Sequence, residues 1–291
     1  IIINNTQIFS GGHFGFDIFF VITGYLTNYY LLKNIYFNNF KLENFYERKL
    51  RRLFPVLLIA SLIFFPLAWL YLLPTNFSEF AGTILYSIGF ISNFYYQKSE
   101  LINGTEDALF VPFFHTWSLS IGYQFYILFP LILIFIVKFF KNYLIHFLIL
   151  GFVSSIVFSF FGSKNFVLFN FYMLPTRLWE FLAGSIVAFI HVKNIEQNIK
   201  IPFKSALEIL NLILILVLIL RVDLNFFYFF EASILITFLT CTLIYFSFEK
   251  GISQKIFRSK FLVLLGAMSY SLYIWHYPIF SFGRISGLVS E

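Results

Sequence analysis

Of the 291 residues, 59% are hydrophobic and only 12% are charged, with a mean hydropathy of +0.83, against about 25% charged in an ordinary soluble domain. So few charged side chains cannot cover a water-soluble globule of this length, and lipid is the solvent that fits. The net charge of +6 then belongs to short loops and anionic lipid; nucleic acid is excluded as a partner, because no basic groove with interleaved stacking aromatics is present.

Apolar windows fall at about 14–32, 53–73, 80–96, 117–137, 143–161, 167–190, 207–220, 227–247 and 261–283, each near the roughly 20 residues that cross a bilayer. They lack the alternation of barrel strands, so their backbone must be satisfied within helices. The sequence therefore predicts an all-α, polytopic transmembrane helical bundle of about nine spans, a single integral membrane domain over residues 1–291. Residue 1 is Ile, and no charged stretch, short apolar run and small-residue cleavage site precede the first window. The expected chain is one whose N-terminus lies upstream.

The first window carries Asp17 in GGHFGFDIFFVITGYL, an ionisable group at a depth where charge is costly. The segment 33–52 follows with six basic residues. By the positive-inside rule it faces the cytoplasm, yet alternation from it puts nine Lys/Arg in the loops of either side, so either a short segment such as 80–96 is re-entrant or this cluster alone sets the orientation, the reading preferred. Within NFYERKLRRLFP, Arg48 with Arg51 and Lys49 with Arg52 are i,i+3 pairs, two cationic ridges at the membrane boundary that Pro55 closes before the next span. Arginine forks of that kind grip phosphates, or the cluster is simply the topogenic one, touching anionic headgroups.

Further along, FVPFFHTWSLSIGYQFYILFP puts His115, Trp117, Ser118, Ser120, Gln124 and Tyr126 at the start of a span. On a helix Trp117, Ser120 and Gln124 share a face, a polar stripe that would mark a cavity wall. In FYMLPTRLWEFLAG, Arg177 and Glu180 are spaced to neutralise one another, as a structural pair or as substrate contacts. Glu231 opens the eighth window. The lone Cys241, in an apolar run, excludes a disulfide framework and reads as a buried, inert thiol. In the last window His276 sits between Trp275 and Pro278, either packed or available as an acid or base beside backbone that the proline frees. The five histidines are scattered, so no metal-ligand spacing is present.

Taken together, GGHFGFDIFFVITGYLT, FYERKLRRLFP, HTWSLSIGYQFYILFP, YMLPTRLWEFLAG and LGAMSYSLYIWHYPI, in that order from about residue 11 to residue 280, resemble the acyltransferase-3 family of bacterial multi-pass O-acyltransferases. The resemblance implies transfer of an acyl group, usually acetyl, from acyl-CoA (acetyl-CoA) as co-substrate to a hydroxyl of an envelope glycan or lipid-linked saccharide, lipopolysaccharide included, at the bacterial inner membrane. No bound cofactor is implied. It casts His276, His115 and Asp17 as catalytic, Arg48, Lys49, Arg51 and Arg52 as holding the coenzyme phosphates, and Trp117, Ser118, Arg177 and Glu180 as contacting substrate.

Two departures accompany it. The family's additional first helix, with a basic residue and, some ten residues later, the histidine to which the family's catalysis is assigned, has no counterpart before Gly11, which implies truncation at the N-terminus. Some relatives continue into a soluble hydrolase-like domain, which would lie beyond Glu291. Where the family usually carries two adjacent acidic residues, this chain has Gly122 and Tyr123. A member that has lost catalysis, and a transporter or flippase of a lipid-linked sugar, are the alternatives for the same bundle.

Overall fold

The computed structural model describes residues 12–37, 39–103, 109–193, 203–221, 229–248 and 251–287. Its elements in chain order are α1 (Phe14–Tyr36), α2 (Leu42–Tyr71), α3 (Pro74–Ile88), α4 (Ser92–Asn103) and α5 (Thr116–Phe140), then a 3-10 turn (Lys141–Tyr143). After it come α6 (Leu144–Asn165), α7 (Val167–Tyr172), α8 (Leu174–Val192), α9 (Lys204–Arg221), α10 (Phe229–Ser247), α11 (Ile252–Phe257) and α12 (Lys260–Ile285). The architecture is all-helical, with no strand among the described residues.

The helices depart from the expected windows at three places. The window 53–73 is the latter part of α2, which starts at Leu42 and runs on through Pro55 and Pro66. The basic cluster is therefore the first turns of a spanning helix, and Pro55 does not end it. A proline removes one backbone donor, and burial of Leu57, Ala60, Phe64 and Ala68 along one face offsets that loss. The window 80–96 is cut between α3 and α4, where Phe90 takes the left-handed conformation at φ 56°. With 15 and 12 residues, neither half reaches the roughly 20 a crossing needs. The window 167–190 is cut at Met173, which is extended, and Pro175 opens α8 where a missing N–H does no harm.

Four stretches are long and apolar enough to cross a bilayer: Leu42–Tyr71, Thr116–Asn165, Val167–Val192 and Phe230–Ser247. The nine-span expectation is thus not established. Composition explains part of the shortfall, since α9 carries Lys204, Glu208 and Arg221 within 18 residues. Thr116–Asn165 holds both α5 and α6, of 25 and 22 residues, each long enough by itself at about 1.5 Å per residue. Large apolar side chains stand exposed along these stretches, among them Trp69, Leu70, Phe135, Leu150 and Phe161. Such surface belongs in lipid, and the protein is a membrane protein. Of the loops between the windows, residues 104–108, 194–202, 222–228 and 249–250 lie outside the described residues, as do residues 1–11. Cys241 is partly exposed on α10, in contrast to the buried thiol expected.

Two parallel helix pairs flank α5. Helices α1 and α8 approach backbone to backbone: a Cβ on Gly24 would overlap the Phe181 carbonyl, and one on Gly184 the Val21 carbonyl. Small residues permit such crossings in lipid. The amide of Asn28 donates to the Ser185 carbonyl at 2.7 Å. On the other side α2 and α12 are joined by the Tyr270 hydroxyl, which donates to the Leu53 carbonyl at 2.7 Å, and by Phe64 stacked on Phe282 at 5.5 Å. Helix α5 contributes Trp117, Ile121 and Phe125 to the first core and Leu119 to the second.

Candidate functional site

The structure divides the expected site residues into three groups. Arg48, Lys49, Arg51 and Arg52 occupy the start of α2, at the level of the middle of α5. Lys49 lies over the Tyr126 ring at 3.9 Å, and the Tyr46 hydroxyl donates to the Ile127 carbonyl at 2.9 Å. Arg48 donates to the Tyr30 hydroxyl at 3.2 Å, and Arg51 pairs with Glu47 at 2.6 Å. Lys49 is half-buried, whereas Arg48, Arg51 and Arg52 are exposed at the start of the helix.

The second group is the histidine pair. His115 caps the start of α5 and His276 lies within α12, their rings 5.3 Å apart. The Nδ1 of His276 is 2.6 Å from the Tyr273 carbonyl. A carbonyl only accepts, so Nδ1 carries the proton and Nε2 keeps its lone pair. That Nε2 has no hydrogen-bond partner, and neither does either ring nitrogen of His115. The Tyr273 hydroxyl donates to the His115 carbonyl at 2.7 Å and lies 2.7 Å from Ser118 Oγ. Ser118 Oγ also reaches the His115 carbonyl, at 3.2 Å, so the two hydroxyls and that carbonyl form one closed hydrogen-bonded cluster.

The third group lies across α5. Arg177 Nη1 pairs with Asp17 at 2.9 Å and with Glu180 at 2.8 Å. All three are buried, and the guanidinium rests 5.2 Å from the Phe171 ring. Trp117 stands between this triad and the histidines, 4.7 Å from the ring of Phe16 and 4.6 Å from that of Phe171. Asp17, Arg177 and Glu180 therefore bind one another, and an aromatic wall separates them from His115 and His276. The stripe of Trp117, Ser120 and Gln124 faces neighbouring helices and not a cavity: Ser120 meets Ser92 at 2.7 Å, and Gln124 donates to Asn93 at 2.8 Å.

Sequence reasoning passed over the tyrosines that join the first two groups. Tyr270 and Tyr273 lie on the face of α12 that carries His276, a repeat of three that was there to be read. Tyr123, at a position where acidic residues were expected, is buried, stacks on Phe90 and lies near Tyr270. From Tyr126 to His115 is 11 residues of α5, about 16 Å at 1.5 Å each. Phenol rings occupy the interval between basic cluster and histidines.

A family model described as an acyltransferase domain matches residues 2–284. A Staphylococcus aureus (strain COL) protein provisionally named an O-acetyltransferase, SACOL0978, is 33% identical over 296 residues, covering 96% of this chain and 48% of its own length. The O-acetyltransferase OatA of Staphylococcus aureus (strain NCTC 8325 / PS 47) is 30% identical over 292 residues, 96% of this chain and 47% of that protein. The chain thus spans about half the length of these relatives. No solved structure matches it.

Proposed function

We propose, from the premise that this chain belongs to the acyltransferase family and is an acyltransferase of other than aminoacyl groups, that it moves an acetyl group from acetyl-CoA to a hydroxyl of a cell-envelope saccharide. The place is the bacterial cytoplasmic membrane, with the start of α2 at its inner face. The observation that carries this reading is His276, whose Nδ1 is held by a backbone carbonyl while Nε2 has no partner beside His115.

The acceptor hydroxyl gives its proton to His276 Nε2 as its oxygen attacks the thioester carbonyl. The carbon–sulfur bond then breaks, and the imidazolium returns the proton to the departing thiolate, leaving an ester and a free coenzyme thiol. A neutral His115 has one ring N–H to offer the oxyanion, in a buried setting where such a donor counts for more than in water. Arg48, Arg51 and Arg52 bind the phosphates of the coenzyme, with Lys49 beside them. The arm carrying the thioester then has about 16 Å along α5 to span, past Tyr123, Tyr126, Tyr270 and Tyr273, to reach the histidines. Asp17, Arg177 and Glu180 act as positioning residues, holding α1 to α8 behind Trp117. Ser118 orients Tyr273 under the histidine pair.

Membranes containing the protein, given acetyl-CoA labelled in the acetyl group, are expected to yield labelled saccharide that mild alkali releases as acetate. Label that stays in coenzyme or lipid, with folded protein and saccharide both present, would refute the reading.

A further inference from the structure

Helices α2 and α12 run the same way, so their C-terminal ends lie together, away from the basic cluster. Arg52 and Tyr71 are 19 residues apart on α2, about 28 Å, close to the thickness of a bilayer's apolar core. At that far end Trp69 and Tyr71 stand exposed, 71% and 54%, as aromatic side chains do at a membrane–water boundary. Here the ends of α2 and α12, with α3, α4 and residues 110–114, line an open cavity of about 480 Å³.

Its lining combines rings with groups that bind hydroxyls: Tyr95 and Phe114 with Asn76, Glu79 and Arg284. The Tyr95 ring is braced by Tyr86 at 4.8 Å. Tyr96 also lines the cavity; its buried hydroxyl lies near those of Thr83 and Thr116 without a well-formed hydrogen bond to either. Flat aromatic faces beside a carboxylate, an amide and a guanidinium match a ligand with apolar ring faces and hydroxyl edges. A lipid tail would make no use of Asn76 and Glu79, and a compact anion would leave the rings unused.

The cavity also adjoins the chemistry. Phe114 forms part of its wall, and the next residue is His115. The Phe114 ring lies 6.1 Å from Tyr277, which itself stacks on His115 at 5.2 Å. One aromatic layer separates the cavity from the pair.

We propose that this cavity binds the acceptor saccharide ahead of transfer, with Tyr95 as the stacking surface, Glu79 and Asn76 as hydroxyl partners, and Phe114 and Tyr277 as the aromatic layer between the bound saccharide and the histidine pair. This rests on the acetyl-transfer reading for the ligand's role, though the binding itself can be measured alone.

The test uses the protein in membrane vesicles and a diazirine-bearing N-acetylglucosamine tetramer, with crosslinked peptides mapped by mass spectrometry. Crosslinks are expected on peptides containing Tyr95, Asn76 or Phe114, and excess unmodified tetramer should remove them. Tyr95→Ala should lower this labelling at least fivefold; Glu79→Gln, an exposed and near-isosteric change that spares the fold, should lower it at least threefold. Acetyl-CoA binding is measured in the same vesicles. Crosslinks elsewhere, cavity crosslinks that the tetramer does not displace, or labelling unchanged in both variants would overturn the proposal. So would acetyl-CoA binding without displaceable labelling. Displaceable cavity labelling without acetyl-CoA binding would sustain the saccharide site and count against the transfer reading.

Discussion

Two buried polar groups lie on opposite sides of α5 and differ in whether a side-chain partner of opposite charge meets them. On the α1 and α8 side, Asp17 and Glu180 each give one carboxylate oxygen to Arg177, so that the charges are met although Asp17 Oδ2 and Glu180 Oε2 have no well-formed partner. On the α2 and α12 side, His115 and His276 keep ring nitrogens without partners. A buried polar atom left unpaired costs about 1–3 kcal/mol, which an incoming ligand can recover by supplying the partner. Charge that is already paired behaves as framework, because breaking it strands an ion in a medium that cannot solvate it.

His276→Ala is the sharpest way to break this contrast: turnover should fall about 10²- to 10⁴-fold with the unfolding temperature in detergent nearly unchanged. Full turnover would return His276 to packing. Arg177→Leu should do the reverse, lowering stability by about 3–5 kcal/mol because two carboxylates are left facing one another; thermal unfolding followed by fluorescence reads this directly. An unaltered melting curve would show that the triad carries no structural load.

Gly184→Leu probes the framework without touching charge. The new side chain meets the Val21 carbonyl, so α1 and α8 must separate, at about 1–3 kcal/mol. At the other end, Arg48→Ala with Arg52→Ala should raise KM for acetyl-CoA about tenfold while kcat holds, since exposed charge pairs are each worth about 1 kcal/mol or less. Raising ionic strength should shrink the difference between variant and parent. The smallest effect is expected from Ser118→Ala, which removes one hydrogen bond to Tyr273, worth about 1 kcal/mol, and should slow turnover a few-fold.

Much of the framework was legible. Arg177 and Glu180 declare their pairing by spacing, and the basic turns of α2 are plain in the sequence. Asp17 was visible as a costly charge, but its partner is 160 residues away, and no local pattern reports such a distance. The break at Phe90 was invisible for a related reason: a left-handed phenylalanine has no local signal, and its carbonyl is held by Gln124 at 3.1 Å from another helix. The Trp117 stripe shows the same limit, because periodicity reveals a shared face but not what that face meets.

Composition and apolar run length alone determined that the chain is helical and lives in lipid, because hydrocarbon leaves the backbone no hydrogen-bond partner but itself. The tertiary structure decided which polar residues keep company. Two parallel helix pairs closed on opposite sides of α5, giving Asp17 to Arg177 and setting His115 beside His276. Each of those contacts depends on helix direction and crossing, which packing over the whole bundle fixes and no single window of residues contains.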